Sequence, residues 1–275
     1  MTQTIDSPSR RPGVLWTSEH RLTTIALLLV VTLTAFESMG VATAMPTLVA
    51  QLDGLSLYAW PFTIFLVASV VATVLSGQIG DRRGPAPGLL AGLALFACGL
   101  LVAGTAGNMS MFLLGRALQG FGSGLLLVSV SLLIAVAFTD RERPVVYAAT
   151  AAAWVLPAVV GPFVAGLLTA SVGWRWVFLG LIPLVALGTA LLVLVIRRLP
   201  GHVAAGGGRQ AGVIPAVVAA LGVASLTWAA QHPSLLALAY GAAGLAALGY
   251  ALRTLLPPGT LSSVPASPRS SRRGR

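Results

Sequence analysis

The sequence predicts an all-α membrane protein, and three observations carry that prediction. Of its 275 residues, 56% are hydrophobic and only 9% charged. The mean hydropathy is +0.90, outside the range of soluble globular domains. Finally, eight apolar runs reach the roughly 18 residues that can cross hydrocarbon as a helix.

The first run, Thr23–Pro46, follows a short tail over residues 1–21. It is too long for the apolar region of a signal peptide, and seven further runs follow it. Glu37 lies about 13 to 15 residues from its start, hence roughly 20 Å deep at 1.5 Å per residue. The second run, Leu57–Gly80, repeats the small residues Ser69, Thr73 and Gly77 at every fourth position, which favours close helix crossing. The third, Gly88–Gly107, holds the chain's single cysteine, Cys98. No disulfide framework or cysteine metal set is therefore expected, and His20, His202 and His232 lack the spacing of a metal site or catalytic dyad.

The fourth run, Met111–Ala137, carries Arg116 in an otherwise uncharged stretch, with Gly120 and Gly124 forming a GxxxG pair. The fifth, Val145–Leu168, contains Pro157 and Pro162 beside Gly161 and Ala165, so a kinked, closely packed helix is expected there. The sixth is Trp176–Ile196, and with it a six-helix unit over residues 22–197 is complete. A Gly-rich linker over 198–212 separates this unit from two further spans, Val213–Ala230 and Leu235–Leu252, within residues 213–256. Residues 257–275 turn to Ser, Pro and Arg, a composition that cannot bury a core, and are expected to be disordered.

Charge fixes the orientation. All 17 basic residues are arginine, and the net charge is +10. Placing the N-terminus in the cytoplasm puts fifteen on that side: Arg10, Arg11, Arg21, Arg82, Arg83, Arg141, Arg143, Arg197, Arg198, Arg209, Arg253, Arg269, Arg272, Arg273 and Arg275. Only Arg175 falls opposite. This is the positive-inside pattern, with both termini cytoplasmic in a multi-pass protein of the cell membrane. Tyr58, Trp60, Trp174, Trp176 and Trp228 cluster at the expected outer boundary, where amphipathic rings settle. The basic tail then fits a lipid surface or solvent, and no nucleic-acid partner is expected.

Glu37 and Arg116 are the two charges inside the spans, and each costs about 2.5 to 3.5 kcal/mol to insert. Pairing or a wet cavity must offset that. Burial favours a neutral carboxyl while a nearby guanidinium favours the carboxylate, so a movement that changes their separation could load and release a proton. A structural ion pair fixing helix register is the alternative. No phosphate cradle, nucleophile elbow or convergent catalytic set is present, so an enzyme is not expected.

Three motifs resemble the major facilitator superfamily, in particular its drug:proton antiporters of the fourteen-span branch. Gly77-Gln78-Ile79-Gly80-Asp81-Arg82-Arg83-Gly84 is similar to the loop motif between helices 2 and 3, with Gly77, Asp81, Arg82 and Gly84 at its defining positions. Arg116-Ala117-Leu118-Gln119-Gly120-Phe121-Gly122 resembles the helix 4 motif, with Arg116, Gln119 and Gly120 matching. The run Pro157 to Gly166 resembles the helix 5 antiporter motif, with Pro157, Gly161, Pro162 and Gly166 as its marked positions. Trp174-Arg175-Trp176-Val177-Phe178-Leu179 and the helix 1 carboxylate Glu37 also look like the family. Pro85 and Ala86 depart from it, standing where two basic residues are usual, as do Pro157 and Ala165, which replace glycines.

The resemblance covers approximately residues 14–261, corresponding to the first half of such a transporter. It implies a six-helix bundle of two inverted three-helix repeats plus two additional transmembrane helices. The implied function is proton-coupled export of an amphipathic small molecule or drug, with Glu37 as proton or cation site, Arg116 as its electrostatic partner and Asp81 in a cytoplasmic gate. No cofactor is implied; the proton gradient supplies the energy. Helices 1, 2, 4 and 5 would line the cavity. The expected partners are membrane lipid, a small-molecule substrate and a second transporter half. An inactive truncated or split-gene product and an uptake symporter are the alternatives.

Overall fold

In the computed structural model, residues 13–18, 20–198, 213–231 and 235–255 are described. The linker from Pro200 to Gly212, the tail over 257–275, most of the N-terminal tail, His202 and His232 lie outside them. The described residues form ten α-helices: α1 Arg21–Gln51, α2 Trp60–Arg83, α3 Pro85–Gly104, α4 Met109–Ala137, α5 Arg143–Ala152, α6 Val155–Ser171, α7 Arg175–Leu179, α8 Ile182–Arg198, α9 Val213–Gln231 and α10 Leu235–Leu255. The chain divides into two compact units, one ending at Val213 and one beginning at Ile214.

In the first unit, six helical segments are long and apolar enough to cross a membrane, with α5–α6 and α7–α8 each counting as one. The seventh and eighth expected spans also fold as helices, α9 of 19 residues and α10 of 21. In the second unit, α9 and α10 pack through Gly222 and Gly244, each facing the other's carbonyl oxygen, and through a Trp228–Tyr240 ring contact of 4.6 Å.

Several helix ends differ from expectation, and proline explains two of them. The fifth span is broken into α5 and α6 instead of bending as one helix. A proline in a helix supplies no N–H and its ring collides with the carbonyl four residues back. For Pro157 that residue is Ala153, where the break falls. The sixth span breaks in the same way ahead of Pro183, which lies just inside α8. Pro46, by contrast, does not end the first helix. It sits inside α1, which runs on to Gln51.

The expected loop between spans 2 and 3 is almost entirely helical. Asp81, Arg82 and Arg83 form the last turn of α2, where the two arginines face the negative end of the helix dipole. Gly84, at φ +73°, is the whole connector, and α3 starts at Pro85. A left-handed residue is favoured as glycine, and a proline is tolerated in a first turn.

Packing in the first unit follows small residues. α4 lies between α2 and α3, while α1 packs on α6 and α8. A Cβ on Gly120 or Gly124 would strike the backbone of α2 at Phe65 or Ser69. One on Gly115 or Gly122 would meet the backbone of α3. These approaches let α4 touch both neighbours at backbone distance, as the GxxxG spacing implies.

Trp174 corrects the expectation of an interfacial ring. It is fully buried, makes edge-to-face contacts with Phe112 at 6.0 Å and Phe178 at 6.1 Å, and donates its indole N–H to Gln51 Oε1 at 2.8 Å. Beside it, Arg175 donates to Ala106 O at 3.0 Å. One end of α7 is thus tied to the ends of α1 and α3. Tyr58 and Trp176 are exposed.

Candidate functional site

The site forms where α1 and α4 face one another in the interior. Glu37 and Arg116 are 1% and 2% exposed, and the ion pair joins Arg116 Nη1 to Glu37 Oε1. Seventy-nine residues separate them in sequence, so the pair is a tertiary tie between two spans. Local helix geometry supplies the next contact. Gln119 lies three residues after Arg116 on the same face of α4, and its Oε1 accepts from Arg116 Nη1 at 2.8 Å.

α2 completes the setting. Arg116 Nε donates to Pro61 O at 3.4 Å, and the guanidinium carbon lies 4.4 Å from the centre of the Phe65 ring. A cation over an aromatic face gains electrostatic support when removed from water. Four residues of α1, α2 and α4 therefore hold one guanidinium. Pro61 and Phe65 carried no signal in the sequence, since a proline and a phenylalanine in an apolar span are ordinary.

Two polar atoms of this cluster remain without a hydrogen bond: Glu37 Oε2 and Gln119 Nε2, both buried. One carboxylate oxygen is held by Arg116 and the other is left to accept a proton or a donor. Buried polar atoms are normally paired, so such an orphan marks a place where chemistry can occur.

Beside the pair, toward the α4–α5 connector, a cavity of about 440 Å³ opens between α1, α4 and α5. Thr34, Ser123, Ser131, Thr150, Tyr147 and Trp154 contribute its polar and aromatic wall, and no charged side chain lines it. Its lining comes from spans 1, 4 and 5; span 2 contributes none of it.

Beyond the cavity the connector is clasped to α1. The ring of His20 lies 4.7 Å from that of Phe138, and His20 Nε2 is 3.8 Å from Glu142 Oε1. Glu142 Oε2 accepts from the Thr139 N–H at 2.9 Å and from Thr139 Oγ1 at 2.8 Å. These bonds, the backbone one first, hold the Glu142 carboxyl below its ordinary range, helped by His20. Arg143 caps the end of α4 by donating to Phe138 O at 3.2 Å and Ala135 O at 2.5 Å, and it pairs with Asp140.

The remaining motif residues lie elsewhere. Gly77, Asp81, Arg82 and Gly84 sit at the α2–α3 junction, where Asp81 and Arg82 form no ion pair among the described residues, and the space around Gly77 and Gly84 is open. Pro157, Gly161 and Ala165 form the buried seam of α6 against α1, with Gly161 meeting Met39 and Gly166 facing Thr43. Pro162 lies on the exposed face of the same helix. Among the described residues no cluster of His, Cys, Asp and Glu could hold a metal ion.

Comparison with known proteins agrees with these motifs. The sequence profile of the Major Facilitator Superfamily matches residues 27–266. Multidrug transporter protein MdtP of Bacillus subtilis is 29% identical over 185 residues, covering 67% of this chain and 34% of that protein. An acurin A biosynthesis cluster MFS-type transporter of Aspergillus aculeatus is 34% identical over 163 residues, 59% of this chain and 29% of that protein. The efflux pump dotC of Dothistroma septosporum is 32% identical over 173 residues, 63% of this chain and 30% of that protein.

The chain thus spans about a third of the length of the curated relatives it matches. Among solved structures, the POT family transporter PepTSo superposes with a TM-score of 0.60 at 18% identity, over 86% of this chain and 52% of that one. A peptide transporter POT in complex with alafosfalin gives the same score at 16% identity. At that identity the likeness concerns the fold. From the matched profile, the three motifs and the six long apolar helical segments together, this multi-pass membrane chain belongs to the major facilitator superfamily.

Proposed function

We propose that this chain forms the amino-terminal half of a proton-coupled exporter of amphipathic small molecules in the cell membrane, with both termini cytoplasmic. The observation that carries the reading is the buried Glu37–Arg116 pair, in which one carboxylate oxygen has no partner. Proton coupling needs a group that can exist charged and neutral without collapse of its surroundings. Here Arg116 keeps Gln119, Pro61 and Phe65 when Glu37 takes a proton, so the guanidinium stays in place while the attraction between α1 and α4 weakens. Protonation on Glu37 Oε2 would therefore loosen the contact between two spans, which is the movement alternating access requires.

The relatives named as a multidrug transporter and an efflux pump support export as the direction. In this reading the cavity beside the pair is half of the substrate site, Asp81 with Arg82 faces a second six-helix bundle at the cytoplasmic gate, and the energy source is the proton gradient. The second bundle comes from further residues of the same polypeptide or from another chain.

The test is Glu37→Gln in the assembled transporter, reconstituted in vesicles under an imposed proton gradient. Proton-driven substrate movement should stop, while insertion and abundance stay unchanged. Undiminished transport in that variant would remove Glu37 from coupling.

A further inference from the structure

We infer that His20, Phe138 and Glu142 form a proton-operated latch at the end of the bundle where α1 begins. The latch holds the start of α5 against α1 when His20 carries a proton and lets α5 swing away when it does not.

α5 is the element that such a latch can move. It has ten residues, Val146 is the only buried one, and a turn at Ala153 and Trp154 separates it from α6. At its other end the connector over residues 138–142 joins it to α4. A short helix that is weakly packed along its length and hinged at one end is placed by whatever holds the other end. Here the holder is the first turn of α1. The rings of His20 and Phe138 lie 4.7 Å apart, and His20 Nε2 stands 3.8 Å from Glu142 Oε1. The side chains of His20 and Glu142 are only 15% and 23% exposed, so the contact is largely shielded from solvent.

Both contacts strengthen when the imidazole gains a proton, because a cation is attracted to a carboxylate and to an aromatic face. Neither partner yields. Phe138 is anchored in the core at 3% exposure. Glu142 has its other oxygen held by the Thr139 N–H and hydroxyl, and these bonds keep its carboxyl below the ordinary range. It is therefore a fixed negative charge over the interval, about pH 5 to 8, in which histidines change theirs. The proton on His20 is the variable.

Other charges around His20 are either engaged or act from farther away. Arg143 is taken up by Asp140 and by the carbonyls of Phe138 and Ala135, and Arg141 is exposed. Arg21 follows His20 on α1, Arg197 and Arg198 end α8, which packs along α1, and Glu19 lies outside the described residues. The arginines and the positive end of the α1 dipole oppose a charged His20, but the exposed ones are screened by salt while the Glu142 contact is shielded. A modest shift in favour of the closed latch remains.

α5 walls the cavity through Tyr147, Thr150 and Ala151, so the latch sets the width of that space. In the exporter proposed above, with this end in the cytoplasm, incoming protons would close α5 on the cavity as they accumulate and slow further turnover. That consequence rests on the exporter reading; the latch itself does not.

The experiment uses the full chain in nanodiscs, with Cys98→Ser as background and nitroxide labels at Leu90→Cys on α3 and Val145→Cys on α5, both exposed positions. Pulsed electron spin resonance reads the distance between the labels at about pH 5.5 and about pH 8, either side of the histidine range. One separation should dominate in acid, and a second population should grow about three-fold at the higher pH, a ratio within reach of a partly shielded ion pair. His20→Gln cannot take the proton and should show the alkaline distribution at both values. His20→Arg keeps a planar cation over Phe138 and should show the acid distribution at both. A parent distribution that ignores pH or shifts in the opposite sense would overturn the inference. So would a pH response that survives in His20→Gln, or the alkaline distribution in His20→Arg. Because the labels report on α5 without any transport, a silent latch leaves Glu37 coupling standing, and loss of Glu37 coupling leaves the latch standing.

Discussion

At the scale of single residues, the ion pair sets the largest energies. Deleting Arg116 alone strands a buried carboxylate, which costs about 3 to 5 kcal/mol. Arg116→Met should therefore lower the yield of folded protein sharply, and Glu37→Gln combined with Arg116→Met should recover much of it. Size-exclusion chromatography in detergent reads both, and equal loss in the single and double variants would show that the pair does not act as a unit. Glu142 makes a pH-dependent prediction. Its carboxyl titrates below the ordinary range in the folded chain because Thr139 donates two hydrogen bonds to it. A folded pKa below the unfolded one means stabilisation that is fully present above the unfolded value, about 4.3 for a glutamate, and is lost as pH falls through the folded value. Thermal unfolding at neutral pH should thus fall in Glu142→Gln relative to the parent, and the difference should shrink as the buffer is acidified into the carboxylate range. A difference independent of pH would assign the effect to lost geometry instead of charge.

At the scale of elements, the prolines and glycines decide the outcome. Restoring an N–H and removing the ring in Pro157→Ala should let α5 and α6 join into one helix, and hydrogen exchange at the amides of residues 153–158 should slow. Unchanged exchange there would place the cause of the break in tertiary packing. The backbone contact of Gly120 with Phe65 predicts that Gly120→Val separates α2 from α4 and abolishes folded protein, whereas Gly77→Ala, in open space, should be silent. Much of this level was legible beforehand. Apolar run length located six helical segments to within a few residues, and the intramembrane charges Glu37 and Arg116 announced their pairing because an unpaired charge in hydrocarbon is so costly. Helix ends were less legible. The sequence shows that Pro157 must disturb its helix but not whether packing will allow a bend or force a break, and Pro46 is carried inside α1 without ending it. Trp174 was misplaced because an interfacial tryptophan and a buried one look alike until Phe112, Phe178 and Gln51 are seen around it. The clasp of His20 on Phe138 and Glu142 joins groups more than a hundred residues apart, and no local pattern reports such a contact.

At the scale of the whole molecule, the arginine asymmetry and the architecture of the family make the remaining predictions. Both termini are expected inside, so a reporter fused after Arg275 should read as cytoplasmic; an external signal would mean an odd number of crossings and would remove α9 or α10 as a span. Alternating access rocks one bundle against another around a midplane site. In this chain the residues proposed to bind substrate line only one wall, and Tyr147 and Trp154 on that wall remain 44% exposed. α6 buries only the seam of Pro157, Gly161 and Ala165, leaving Val159 and Phe163 each 73% exposed on its other faces. Solved structures with this fold are about twice as long as the part this chain covers. A single wall cannot seal a polar pathway from lipid or alternate its opening, so these residues expressed alone should insert and confer no export. Supplying a second six-helix bundle, fused or separate, should restore it. Accumulation of an amphipathic fluorescent amine in cells lacking other exporters checks this directly, because energy-dependent lowering of accumulation by the chain alone, abolished by a protonophore, would require two copies to build the pathway between them.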